Sequence, residues 1–184
     1  MGWLAEVYET DRRVTQGLAA RVPSGLHKVL SAVEETAESG KLWFGAAAVM
    51  AWSGGLRGRK AAAAGLAALA VAQLACNGVG KQLTGRPRPP KDWVPHDEAD
   101  ERPDSSSFPS GHTAAAVAFT AAVAPSWPSA GVVCAVPAAL VAVERVQSGA
   151  HYPSDVVSGA AVGLLGAWLV RAAPGLLPRY LRWR

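Results

Sequence analysis

The sequence predicts an all-α fold, a polytopic membrane helix bundle of about five spans with N-terminal amphipathic helices. Half of the 184 residues are hydrophobic and only 17% are charged, a balance suited to one compact body rather than two. The apolar residues are mostly Ala, Val, Leu and Gly, and they collect in blocks that short charged or Pro-containing stretches separate. Such blocks read as spans. One long polar stretch, residues 84–110, interrupts them.

Residues 1–39 form a segment of their own. Trp3, Leu4, Val7 and Tyr8, then Val14, Leu18, Val22, Leu26, Val29, Leu30 and Val33, recur at helical spacing among charges. That pattern predicts one or two amphipathic helices, and it fits the membrane surface and packing on the protein equally well. Residues 40–184 hold the membrane-embedded part. Its first block, 42–56, ends at Arg57, Arg59 and Lys60, read as a tight basic turn, and the second, 61–79, stops at Lys81. Residues 84–110, rich in Pro, Arg, Asp and Ser, are a loop of the length and composition that carries function. Blocks at 113–124, 130–143 and 156–170 follow, the first two joined through Pro125, Ser126, Trp127 and Pro128. Several are shorter than the roughly 20 residues of a lone span, so flanking polar residues must sit at membrane depth, facing protein or water.

A net charge of +4 raises nucleic acid as a partner, but no basic run interleaved with aromatics supports one. Cys76 and Cys134 lie inside apolar blocks and read as small buried residues rather than as a disulfide framework. The charged N-terminus is not a secretory signal peptide. In a five-span arrangement the cations at 57–60 and Arg171, Arg179, Arg182 and Arg184 fall on one side, which the positive-inside rule makes cytoplasmic. The long loop then faces outward from the plasma (inner) membrane. The partner expected from the spans is the bilayer; self-association as a homo-oligomer is left open.

Three separated pieces meet on that outer face: Lys81 with Arg88 and Pro89; Pro109, Ser110, Gly111 and His112; and Arg145 with His151 and Asp155. In order and spacing they resemble the three-part signature of the type 2 phosphatidic acid phosphatases, or lipid phosphate phosphatases. That family is related to bacterial acid phosphatases and vanadium haloperoxidases. The resemblance runs over residues 81–155, and the alternation of spans extends it to about residue 170. It implies a lipid phosphate phosphatase in which His151 becomes the phosphohistidine, Asp155 orients it, and His112 acts as acid and then base. It implies no metal and no cofactor.

The residue types suit that chemistry independently. A phosphate dianion needs several fixed cations and N–H donors around it; Lys81, Arg88 and Arg145 supply charge, and Arg forks match phosphate geometry. Ser110 stands where an N-cap is expected, with Gly111 letting backbone approach, so helix N–H groups can face the anion. Pro153 suits the first turn of the last span, which places His151 just before it and Asp155 within it, in reach of a ring nitrogen. His112, expected one turn into its span, is the proton donor. Taken singly, such cations are more often membrane-edge anchors. His96 and Asp97 with His112, His151 and Asp155 have ligand chemistry but no tight metal-ligand spacing. Arg86, Lys91 and His96 are read as plain loop residues.

Glu144 departs from the pattern, standing where the family has Ser. A carboxylate beside a bound dianion repels it unless protonated or turned toward a cation such as Lys81 or Arg145, which makes Glu144 a candidate modulator. The substrates the resemblance allows are polyprenyl phosphates or diphosphates, polyprenyl phosphosugars and phospholipid phosphates. Two alternatives carry less weight. A vanadate-dependent peroxidase does not suit the spans, and a catalytically silent lipid-binding or transport protein of this fold does not suit the retention of both histidines and Asp155.

Overall fold

Each apolar block becomes a helix. A computed structural model of the chain describes residues 2–93 and 105–176, and among these it contains helices and loops but no strand. The helices are α1 (Gly2–Arg21), α2 (Ser24–Glu38), α3 (Lys41–Ser53), α4 (Gly55–Leu83), α5 (Gly111–Val123), α6 (Pro128–Gln147) and α7 (Pro153–Leu176). His96, Asp97, Arg102 and the basic tail at Arg179, Arg182 and Arg184 lie outside the described residues.

Three of these helices are long and apolar enough to cross a membrane: α4, α6 and Pro153–Ala173 of α7. The third predicted block, α5, has 13 residues, about 20 Å against a hydrocarbon core of about 30 Å. It is extended by buried Ser107, Pro109 and Ser110 ahead of it. The outward surface of the helices carries Trp52, Leu56, Leu74, Leu83, Val132, Val133 and Trp168, all exposed. So large an apolar surface suits acyl chains rather than water.

Small residues hold the bundle together. Ala68, Ala72 and Cys76 of α4 meet Ala114, Ala118 and Ala122 of α5 and Ala167 of α7, a seam in which missing side-chain bulk lets backbones approach. A second cluster gathers Trp43, Ala47 and Met50 of α3 with Ala61, Phe119, Cys134 and Val141. There the Trp43 and Phe119 rings lie 5.2 Å apart. Both clusters include α4 and α5, the pair of helices at the centre of the bundle.

One expectation is corrected here. Arg57, Arg59 and Lys60 do not form the turn after α3; Ser53, Gly54 and Gly55 make it, with φ +55° at Gly55, and the cations occupy the first turns of α4. Arg57 Nε donates to the Ser126 carbonyl at 2.9 Å, so that cluster shares one end of the bundle with the α5–α6 turn. The N-terminal helix α1 forms as expected. Its buried stripe is Asp11, Thr15 and Ala19, one helical turn apart, while Trp3, Val7, Tyr8 and Val14 are exposed. These exposed apolar residues lie off that stripe, Trp3 and Val7 lining a groove with Pro153 and Val157 of α7, and the stripe that faces in is largely polar. On α2, Leu30 and Ala37 are buried, and His27 accepts a hydrogen bond at Nδ1 from Gln147 Nε2 at 3.2 Å.

Candidate active site

The predicted residues come from four stretches of chain that one end of the bundle brings together. On α4 the helix widens to a π register over Leu74–Gly80, a distortion common at functional sites. Lys81 follows directly, and its Nζ is 3.5 Å from Ser105 Oγ. Arg88 meets the same serine, Nε to its carbonyl at 3.2 Å and Nη2 to its Oγ at 3.4 Å. Nη1 donates to the Ala150 carbonyl at 2.7 Å, so Arg88 ties the loop to the residue before His151. Lys81, Thr84, Arg86, Arg88, Ser105 and Ser106 line a cleft of about 510 Å³. Neither His112 nor His151 is in its lining.

Ser110 caps α5, its side chain accepting from the Thr113 amide. The first-turn amides of Gly111 and His112 have no partner within a helix and remain available to an anion. His112 is the second residue of α5, not one turn in, because the helix starts at Gly111. Gly111 has a neighbour the sequence did not suggest: a Cβ there would lie 3.2 Å from Asn77 Oδ1 and 3.4 Å from Gln73 Oε1. Its small size serves the approach of α5 to a polar pair on α4. Arg145, His151, Lys81 and Arg88 all lie close enough to act electrostatically on His112, which puts them in one neighbourhood.

His151 lies in the loop between α6 and α7, 2% exposed. Gly149 turns that loop at φ +63°, a conformation a side chain would strain, and the His151 amide closes it on the Arg145 carbonyl at 2.9 Å. Nδ1 is 2.6 Å from the Ser107 carbonyl. A carbonyl only accepts, so Nδ1 carries the proton and Nε2 keeps its lone pair. Asp155 was expected to make this contact, but its Oδ2 is 3.8 Å from Nδ1, a charge contact rather than a hydrogen bond. Burial lowers the His151 pKa, opposed by the Asp155 carboxylate and assisted by Arg88 and Arg145.

Asp155 instead accepts from the Tyr152 amide at 2.9 Å and from Arg86 Nη1 at 2.6 Å. Arg86, read from the sequence as a plain loop residue, is therefore a member of the cluster. Its guanidinium also reaches Asp11 at 2.7 Å and lies 4.2 Å over the Tyr152 ring. Burial depresses the Arg86 pKa, but hydrogen bonds and charge from Asp11 and Asp155 outweigh it and leave the pKa raised.

Glu144 turns toward Arg145 rather than Lys81. The Arg145 Nε pairs with Glu144, and Nη2 pairs with Glu34 of α2 at 2.5 Å. Arg145 and Glu144 are both buried, so each needs the other's charge, and an incoming phosphate meets a guanidinium already shared between two carboxylates. Sequence reasoning missed Arg86, Ser105, Ser107, Asp11 and Glu34. Only the paired arginines of Arg86-Pro87-Arg88 offered a local signal. Among the described residues no three His, Cys, Asp or Glu side chains group as metal ligands.

Segments of this chain are similar to two lipid A 1-phosphatases. One, from Rhizobium johnstonii, is 47% identical over 65 residues, which is 34% of this chain and 24% of that protein. The other, from Rhizobium etli, is 47% identical over 78 residues, 39% of this chain and 32% of that protein. The chain thus spans about a quarter to a third of the length of these relatives. Its fold matches the transmembrane PAP2-type phosphatidylglycerolphosphate phosphatase of Bacillus subtilis, with a TM-score of 0.70 at 22% identity over 95% of this chain and 89% of that one. LpxE of Aquifex aeolicus gives a TM-score of 0.64 at 20% identity over 86% and 93%. The model of the PAP2 superfamily covers residues 61–177, from the first turns of α4 through all three motif blocks to the end of α7, and the chain belongs to that superfamily.

Proposed function

We propose that this protein is a membrane phosphatase that hydrolyses a phosphomonoester or diphosphate on a lipid through a phosphohistidine at His151. One observation carries the reading: a buried imidazole whose Nδ1 is taken by the Ser107 carbonyl at 2.6 Å, with Nε2 left to attack phosphorus among the charges of Arg88 and Arg145. Lys81, Arg88 and Arg145, with the amides at the start of α5 behind the Ser110 cap and Gly111, hold the anion and spread its developing charge. His112 gives its proton to the leaving oxygen and then takes one from the water that cleaves the phosphohistidine. Asp155 supplies the negative charge that stabilises His151 as it becomes cationic. Glu144 shares the charge of Arg145 and so modulates how tightly that residue grips phosphate.

The apolar surface around the helices holds the lipid tail in the bilayer while the head group reaches the loop. The basic end at Arg57, Arg59 and Lys60 favours an outward-facing site in the plasma (inner) membrane. Similarity to lipid A 1-phosphatases and to a phosphatidylglycerolphosphate phosphatase fold supports a lipid phosphomonoester over a soluble one.

The test is phosphate release by the purified chain in detergent, without added metal. The substrate panel is phosphatidic acid, phosphatidylglycerol phosphate, a polyprenyl diphosphate and lipid A bearing its 1-phosphate. Turnover on at least one, reduced to background by His151→Ala, is the expected result; release that needs a metal or survives this substitution contradicts the mechanism.

A further inference from the structure

The face that α1 turns inward is polar. Asp11 is 2% exposed and Thr15 is fully buried. A carboxylate taken out of water to that extent is costly unless it is paired and hydrogen-bonded, and Asp11 is both. Arg86 Nη2 donates to its Oδ2 at 2.7 Å, the Ser154 amide to Oδ1 at 2.9 Å, and the Ser154 hydroxyl to Oδ2 at 2.6 Å. The Ser154 amide belongs to the first turn of α7, where helix N–H groups lack partners; α1 therefore caps α7 from outside.

The other half of the Arg86 fork faces the candidate active site. Nη1 donates to Asp155 Oδ1 at 2.6 Å and to Ser154 Oγ at 2.7 Å. One guanidinium thus bridges a carboxylate on the N-terminal helix and the carboxylate beside His151. The Arg86 side chain is 26% exposed and that of Asp155 is 0% exposed. Without the bond to Asp11, solvent offers Arg86 other positions, and buried Asp155 cannot follow it.

We propose that Asp11 is a positioning residue of this active site: it fixes the Arg86 fork so that Asp155 keeps its counter-ion and its place next to His151. The inference rests on the reading of His151 as nucleophile. Asp11 lies outside residues 61–177, the part that matches the superfamily, so the N-terminal helices of this chain contribute to chemistry that the matched core otherwise contains. Lys81, Arg88 and Arg145 bind phosphate without Asp11, so its loss falls on turnover rather than on affinity.

The experiment uses the full chain in detergent micelles with the best substrate of the panel above. Asp11→Asn keeps the shape and removes the charge; kcat falls about 10-fold to 100-fold, the scale of a misplaced catalytic group, while KM stays within about twofold and Glu9→Gln on the exposed side of α1 changes neither. In a double-mutant cycle, Asp11→Asn adds nothing to Arg86→Ala. Ring-nitrogen NMR of 15N-histidine-labelled protein gives a readout free of substrate: the His151 signals shift or broaden in Asp11→Asn and not in Glu9→Gln. Independent, additive effects of the two substitutions overturn the proposal, as does a lower melting temperature with unchanged kcat and unchanged His151 signals. If the native chain releases phosphate from no lipid of the panel, the proposed function fails, and the NMR comparison alone then decides the role of Asp11.

Discussion

At the scale of single residues, the proposed mechanism requires His151 to stay neutral until it attacks and to accept positive charge as it does. Burial meets the first requirement by holding its pKa below the ordinary imidazole value, and the Asp155 carboxylate at 3.8 Å meets the second by pushing the other way. The sign follows. With a lowered pKa the reactive neutral form persists as pH falls, so kcat/KM, which reports the free enzyme, holds through about pH 6.5, the ordinary imidazole pKa, and declines only below it. Asp155→Asn removes the opposing charge, moves that acid limb still lower, and reduces the rate by roughly 10²-fold to 10⁴-fold. A pH–rate series on both proteins checks this, and an acid limb above the ordinary imidazole value contradicts it. The two histidines, Asp155 and the three cations were legible in the sequence because each sits in a short block whose internal spacing is fixed. The true partner of Nδ1 was not, because Ser107 offers a backbone carbonyl, a group that every residue has.

At the scale of elements, α7 and α5 approach through glycine. A Cβ on Gly159 would lie 2.4 Å from the Ser110 carbonyl oxygen, a backbone atom that cannot rotate aside. Gly159→Ala therefore pushes α7 from the cap of α5, costs about 1–3 kcal/mol, and lowers turnover by displacing His112. Gly45→Ala on α3, where nothing lies within 4 Å of the added carbon, leaves both unchanged. Thermal unfolding and phosphate release measured on the pair separate these outcomes. The element bounds were readable to within about six residues, since apolar blocks and Pro or Gly at their ends mark helices, while charged first and last turns such as Arg57–Lys60 do not. The face each helix buries was readable only in part: for α1 the hydrophobic pattern identified the helix but not the stripe of Asp11, Thr15 and Ala19 that it buries.

At the scale of the whole molecule, α4 separates two ends about 40 Å apart. One carries Arg57 bonded to Ser126 and the other carries Lys81 and the cleft. The proposed orientation sets the first in the cytoplasm. Native Cys76 and Cys134 are buried, so a cysteine introduced at exposed Asp92 reacts with a membrane-impermeant maleimide in intact cells, and one at exposed Arg59 reacts only after permeabilisation; the reverse pattern inverts the topology. The sequence by itself determined an all-helical membrane bundle, the three motif blocks of the superfamily and the cap that starts α5, because apolar runs, motif spacing and capping residues are local properties of the chain. Only the tertiary structure decided that Asp11 meets Arg86, that Glu34 and Glu144 share Arg145 and that Ser107 holds His151. Of these, only the Glu144–Arg145 pair joins neighbours in the chain; the others join residues tens of positions apart. A charge finds its partner by where helices pack, and no periodicity along the chain encodes that.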